Sequence, residues 1–401
     1  MKQLIASVFV LLALAVGAAG SMAAPDDGGL RAALSADLEK YLTARRTIEH
    51  ISALSLSVKL PGRASNINLT AGTTRYDGGA AVTPGSLYQI GSNTKAFTAV
   101  AILQLEAEGK LTIQDTVGKW LPQYPAWKDV TIERLLNMTS GIPTYDSVQA
   151  MLVAYAANPT RNWSPPELIA YVYPGAKDAP PPTTGWSYSN TNYLLAQLII
   201  EKASGHSYAA ELRRRFFANS ALRLDATYYY PHLYPSSIAK RMVSGYFASK
   251  DPDNAGLQPL YGKDVRDFTL SWAQGAGGIV SMPEDVTRWS RALYVGNLLK
   301  PQQRRELMRT VSQKTGAPID DVSADDPRGF GLGVAHAFLP SMGKFWFYQG
   351  ETLGYRMVYG WFPEADVVFA AGINSQPDAK EDQAGKLMES VYNSLHEAGK
   401  L

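Results

Sequence analysis

The chain has 401 residues, 46% apolar and 18% charged, enough to bury one large core or two. Its 38 basic and 36 acidic side chains leave a formal charge of +2 with no long run of one sign, which argues against nucleic acid as a partner. With no cysteine, disulfides, thiolate zinc sites, a thiol nucleophile and a lipidated cysteine are excluded together; the five histidines stand singly, without zinc-site spacing, so no metal or cofactor is expected.

Met1 and Lys2 precede an apolar run over residues 4–19 and then small residues, the layout of an export signal. Ser21 and Ala23 favour cleavage after Ala23. The run is shorter than the roughly 20 residues a spanning helix needs. The expectation is export to the periplasm or extracellular space, with no stable membrane anchor after cleavage. Residues 30–46 carry Leu30, Leu34, Leu38 and Leu42 at helical spacing. Residues 52–60 and 66–72 flank a Pro61-Gly62 turn and predict a hairpin. Residues 94–108 predict a buried helix through Phe97, Val100, Ala101, Leu103 and Leu105, stopped at Gly109.

From 131 to 297, helical patterns such as 193–203 and 283–293 alternate with Pro- and Gly-rich loops. Aromatic and β-branched runs at 330–338, 344–348, 355–361 and 367–373 predict the rest of a sheet, and a helical pattern closes the chain over 379–396. Strands at both ends of a helical middle predict an α+β fold, a mostly antiparallel sheet flanked by helices with an inserted all-helical domain. The expected division is a signal over 1–23, a sheet domain over 24–130 and 298–401, and a helical domain over 131–297. A ligand is expected in the cleft between the two domains.

A hydroxyl is a poor nucleophile at neutral pH unless a base lies within hydrogen-bond reach. Ser92-Asn93-Thr94-Lys95 supplies such a pair, since residues three apart on a helix share a face. Burial would lower the lysine pKa, and the helix N-terminus favours developing negative charge. Ser237-Ile238-Ala239-Lys240 and Ser341-Met342-Gly343-Lys344 fit the same pattern. Ser92 differs in following a strand-like stretch, 87–90, and Gly91, and in opening a long apolar helix; plain N-capping is its alternative reading. Tyr188-Ser189-Asn190, just before another helix, offers a phenol to relay a proton and an amide to orient lysine and substrate.

Together these stretches resemble the family that joins class C β-lactamases, D-alanyl-D-alanine carboxypeptidases, D-amino-acid amidases and related esterases. The resemblance rests on Tyr88-Gln89-Ile90-Gly91-Ser92-Asn93-Thr94-Lys95, on Val130-Thr131-Ile132-Glu133-Arg134-Leu135-Leu136 leading into Thr139-Ser140-Gly141-Ile142-Pro143, and on Trp186-Ser187-Tyr188-Ser189-Asn190. Gly275-Ala276-Gly277-Gly278-Ile279-Val280-Ser281 and Gly331-Leu332-Gly333 add two blocks, and the order fits from about residue 30 to 395. The resemblance implies a β-lactamase/transpeptidase-like fold and an acyl-enzyme hydrolase. It assigns Ser92 as nucleophile, Lys95 as proton acceptor, Tyr188 as acid and base partner, and Asn190 as a substrate contact. It places Tyr348, Gly350 and Glu351 on the family's third motif, with the Ser92 and Glu351 amides as oxyanion hole.

Tyr348 departs from that motif, because relatives carry lysine or histidine there, a charge that helps hold a substrate carboxylate. The substitution points to a small-molecule or peptide substrate with an ester or amide bond and no free carboxylate near it. D-alanyl-D-alanine carboxypeptidase or β-lactamase activity is the alternative. Arg356 is a candidate source of the missing charge, with an exposed strand arginine as its other reading. Trp186, Tyr228, Tyr229, Tyr230 and Trp272 are candidates to line an acyl pocket. An α/β-hydrolase elbow at Gly205-His206-Ser207-Tyr208-Ala209 lacks the strand it needs before it. A catalytically inactive ligand-binding module remains the reading from another class.

Overall fold

The leucine repeat near the start folds as a helix, Gly28–Arg45, with Leu30, Leu34, Leu38 and Leu42 buried along one side. The computed structural model describes residues 28–401. The expected export signal over 1–23 lies outside those residues. The expected hairpin forms from Ala53–Lys59 and Ile67–Gly72, paired antiparallel with Ala53 opposite Gly72 and Val58 opposite Ile67. After Gly72 the chain leaves this sheet and rejoins it at Val311. The completed sheet has eight strands, all antiparallel, in the order Ile67–Gly72, Ala53–Lys59, Val367–Ile373, Tyr355–Phe362, Gly343–Thr352, Ala335–Leu339, Arg328–Phe330, Val311–Ser312.

Alternation along the central strands divides their side chains between two cores. Leu54, Leu56, Val58, Phe369, Ala371 and Ile373 face the terminal helices Gly28–Arg45 and Ala384–Glu397, which supply Leu34, Leu38, Leu387, Val391 and Leu395. Met357, Tyr359, Trp361, Val368 and Ala370 face the other way, where helix Pro283–Tyr294 brings Val286, Trp289 and Leu293. Both central strands, Tyr355–Phe362 and Val367–Ile373, are buried at every position, which is why they read as continuous apolar runs. Beyond this layer, helix Thr94–Ala107 is buried nearly all round and packs against Thr191–Ser204 and Gln274–Gly277.

Three boundaries differ from the sequence reading. The run over 330–338 splits into Arg328–Phe330 and Ala335–Leu339, because Gly331-Leu332-Gly333 turns between them. The last helix begins at Ala384 after a single 3-10 turn, Ala379–Glu381. Gly343–Thr352 runs past residue 348; its far half, from Tyr348, pairs only with Tyr355–Phe362, since Ala335–Leu339 stops opposite Phe347. That half is a free strand edge. No helix among the described residues is long and apolar enough to cross a membrane.

Candidate active site

Strand Tyr88–Gln89 pairs antiparallel with Ile279–Ser281, and Gly91–Asn93 then make one 3-10 turn into helix Thr94–Ala107. Ser92 therefore stands in front of the helix, and Asn93 holds the N-cap position. The Asn93 side chain does not cap. Its Nδ2 donates to the carbonyls of Ile90 at 2.9 Å and Met357 at 2.7 Å, pinning the turn to the sheet. The free edge of Gly343–Thr352 lies directly on this turn because two glycines permit it. A Cβ on Gly350 would fall 2.0 Å from the Ile90 oxygen, and one on Gly91, whose φ is +50°, would fall 2.5 Å from the Glu351 nitrogen. The Glu351 amide is thereby carried to the Ser92 turn.

Lys95, the second residue of the helix, is fully buried, and its Nζ has three neighbours: Ser92 Oγ at 2.8 Å, Asn190 Oδ1 at 2.6 Å and the Ala276 carbonyl at 2.9 Å. Two of those are pure acceptors. A neutral amine has two N–H groups and one lone pair, so it can donate to Asn190 and Ala276 while accepting from the Ser92 hydroxyl. Burial pushes the Lys95 pKa down to about 7, against the opposing pull of the Asp146 carboxylate. Asn190 stands at the N-cap position of Thr191–Ser204 without capping it. Its Nδ2 donates to Asp146 Oδ2 at 2.6 Å, which turns its carbonyl toward Lys95, while Thr144 donates to the other Asp146 oxygen.

On the far side of Ser92, the Tyr188 hydroxyl donates to Ser92 Oγ at 2.7 Å. The Tyr188 ring lies 4.8 Å from Lys95 Nζ. Surrounding protein raises the Tyr188 pKa, opposed by its bond to Ser92; the residue keeps 36% exposure, which moderates the rise. A continuous path thus runs from Tyr188 through Ser92, Lys95 and Asn190 to Asp146. The sequence reading contained four of the five members. Asp146 and the Ala276 carbonyl were missed as site groups, since neither has a spacing signal: Asp146 comes from the 3-10 turn Tyr145–Ser147 and Ala276 from the short helix Gln274–Gly277.

The third-motif residues are arranged differently from one another. Gly350 and Glu351 lie on the Ser92 turn. Tyr348 is buried, with its hydroxyl beside that of Tyr188. Arg356 does not reach the cleft. It is fully buried, with its guanidinium on Glu49 at 2.6 Å, on the Ser375 carbonyl at 2.8 Å and on Asp382, so it cannot supply the missing substrate charge. Of the aromatic candidates, Trp272 lines the cleft and Trp186 packs against Tyr188 and Phe330. Tyr228, Tyr229 and Tyr230 line a separate hollow with Phe217 and Ile238. Neither other Ser-x-x-Lys stretch joins the site: Lys344 pairs with Asp321, and Ser237 lies in the short helix Ser236–Ala239. Gly205 ends Thr191–Ser204 in the left-handed conformation and Ser207 caps the next helix, so no strand leads into that stretch.

The open cleft above Ser92 has a volume of about 320 Å³, with Asp146, Tyr188, Asn190, Trp272, Glu351 and Gln376 among its walls. A larger hollow of about 440 Å³, lined by Lys59, Arg223, Arg288 and Arg291, lies elsewhere and has no nucleophile paired to a base. Among the described residues no group of three His, Cys, Asp or Glu could hold a metal ion.

Known proteins similar to this chain were found by sequence, by fold and by family. Sequence relatives include a penicillin-binding protein of Bacillus subtilis (strain 168), 28% identical over 306 residues that cover 75% of this chain and 63% of that protein. A putative penicillin-binding protein of the same organism is 25% identical over 69% of this chain and 68% of its own length. Among solved structures, a D-stereospecific amidohydrolase from Streptomyces sp. aligns at 25% identity and a TM-score of 0.70, covering 92% of this chain and 99% of that one. D-amino acid amidase from Ochrobactrum anthropi SV3, complexed with L-phenylalanine, shares the fold at 22% identity and a TM-score of 0.76, with the same coverage. The family model described as Beta-lactamase matches residues 27–391, and the chain belongs to the beta-lactamase family.

Proposed function

We propose that this chain is an exported serine hydrolase that cleaves ester or amide bonds through an acyl-enzyme on Ser92. The observation that carries the reading is the unbroken hydrogen-bonded path from Tyr188 to Ser92 to a buried Lys95 held near neutrality. Ser92 Oγ attacks the carbonyl carbon as its proton passes to Lys95. The oxyanion is met by the Ser92 and Glu351 amides at the helix entrance. Tyr188 gives its proton to the leaving oxygen or nitrogen as that bond breaks, and recovers one from the Lys95 ammonium. Water then attacks the acyl carbon, loses a proton through the same groups, and Ser92 leaves with it.

Tyr348 brings no charge to the leaving-group side and Arg356 is sealed behind the sheet, which favours substrates without a carboxylate there. D-alanyl-D-alanine carboxypeptidase or β-lactamase activity is the second reading, favoured by the penicillin-binding relatives. The test is turnover of short-chain nitrophenyl esters, a chromogenic β-lactam and a D-alanyl-D-alanine peptide by the mature protein and by Ser92→Ala. Ester or amide turnover that falls more than about a thousand-fold in the variant supports the reading. Turnover of the carboxylate-bearing pair alone moves the chain to the peptidase branch. Turnover retained in Ser92→Ala sinks the mechanism, and no turnover together with no labelling of Ser92 by an active-site serine probe leaves a binding module.

A further inference from the structure

We propose that Gln274 is a positioning residue for the reaction: paired with Gln197, it holds the Ala276 carbonyl against the Lys95 amine. The proposal rests on the hydrolase reading above and adds to it a device that prepares the base. The backbone gives the first sign. Gln274 opens the short helix Gln274–Gly277 with φ at +43°, in the left-handed region that favours glycine, although its neighbours Gly275, Gly277 and Gly278 are themselves glycines. A side chain kept in that conformation points to a use for the side chain.

Both glutamines are buried, and their amides interlock. Gln274 Oε1 accepts from the Tyr229 hydroxyl at 2.8 Å and from Gln197 Nε2 at 3.2 Å, while Gln274 Nε2 donates to the Trp163 carbonyl at 2.7 Å. Gln197 Oε1 accepts the Gly275 N–H at 2.8 Å. A carbonyl can only accept and a backbone N–H can only donate, so the orientation of both amides is fixed. Gly275 permits the approach, because a Cβ there would fall 3.0 Å from Gln197 Oε1 and 3.0 Å from the Tyr193 carbonyl oxygen. From the other side Thr98 Oγ1, on the helix that carries Lys95, donates to the Gly275 carbonyl at 2.7 Å. The residue before Ala276 is thus clamped between Thr94–Ala107 and Thr191–Ser204.

The clamp sets what Lys95 meets. Asn190 and Gln197 lie about two turns apart on one helix, so both pure acceptors of Lys95 Nζ, Asn190 Oδ1 and the Ala276 carbonyl, are referred to the same rigid element. With both in place the two N–H groups of the neutral amine are taken up and its lone pair is left for the Ser92 hydroxyl. With the Ala276 carbonyl released, an N–H can turn to Ser92 in place of the lone pair, and proton transfer from the nucleophile slows. The ammonium form binds acceptors more strongly than the amine, so losing one acceptor favours the amine and lets Lys95 lose its proton at lower pH.

The experiment measures kcat and KM against pH for the wild-type protein, Gln274→Gly, Gln197→Leu, the double variant and Ser92→Ala. The substrate is the ester, β-lactam or peptide that the wild-type protein turns over fastest, and circular dichroism gives the folded fraction. Gln274→Gly is the decisive variant, because glycine adopts the left-handed backbone freely and only the side chain is lost. Its kcat per folded molecule should fall about ten-fold with KM little changed, the effect of a misplaced group at the reacting centre. The ascending limb of kcat should move to lower pH. Gln197→Leu should repeat both changes, and the double variant should fall little further than the worse single one, since both act through one carbonyl. An unchanged kcat and limb in Gln274→Gly, or a loss carried by KM alone, overturns the positioning role and leaves the hydrolase standing. Absence of any Ser92-dependent turnover in the wild-type protein removes the hydrolase reading, and the positioning role with it.

Discussion

Two charged regions lie back to back across the strand Gly343–Thr352, and they handle burial in opposite ways. At Ser92 a single lysine is surrounded by neutral groups and is drawn toward its uncharged form. Behind the strand, Arg356 is equally buried but lies between Glu49 and Asp382, and those carboxylates raise its pKa. Burial disfavours charge in both places. The partners decide the outcome: where they are amide and carbonyl oxygens the cation becomes a base, and where they are carboxylates it becomes a permanent structural charge.

Breaking each region should therefore have a different signature. Lys95→Met should lower kcat/KM by about a thousand-fold, the middle of the range for loss of an acid–base group. Circular dichroism and the melting temperature should stay close to wild type, or rise, because a buried charge-prone group is replaced by an apolar one of similar length. Arg356→Leu should do the reverse. Removing the cation between Asp382 and Glu49, which keeps only Arg45, should cost about 3 kcal/mol in denaturant unfolding. Activity per folded molecule should hold, and a selective loss of carboxylate-bearing substrates in this variant would return Arg356 to the cleft.

Local geometry explains how much of this was legible in the sequence. Ser92 and Lys95 are three residues apart at a helix entrance, and Tyr188 and Asn190 flank the next helix start, so short spacing carried their meeting. The strands that bury both faces announced themselves as apolar runs. What spacing cannot encode is the face a strand residue takes in its final register. Arg356 stands opposite Glu351, and that pairing sends its side chain to Glu49 and Asp382 rather than to the substrate. Tyr228 and Tyr229 pair with Ile279–Ser281 and lie away from the nucleophile for the same kind of reason. Asp146 was invisible because a lone aspartate in a turn after Pro143 has no periodicity to mark it.

Tyr188→Phe removes one hydroxyl from the path and leaves the ring in place, so it isolates proton transfer from packing. Turnover should fall about a hundred-fold with little change in KM for substrates with poor leaving groups. The loss should shrink for nitrophenyl esters, whose leaving group departs without a proton. An equal loss for both substrates would make Tyr188 a structural neighbour of Ser92 instead of its acid.

The smallest effect, and the most direct reading of how the two regions differ, belongs to Asp146. Its carboxylate is the one charge that opposes burial at Lys95, holding the lysine pKa up while Asn190 transmits its position. Activity needs the neutral amine, so kcat/KM should rise through an apparent pKa of about 7 in the wild-type protein. In Asp146→Asn the opposing charge is gone and the lysine pKa drops further. The ascending limb should move to lower pH, and the pH-independent plateau should fall about ten-fold because the Asn190 amide is less firmly oriented. Those two changes have opposite signs at mildly acidic pH, so the variant keeps more of its own plateau activity there than the wild type does of its own. A limb that stays in place, or moves up, would mean that Lys95 is not the group whose ionisation gates turnover.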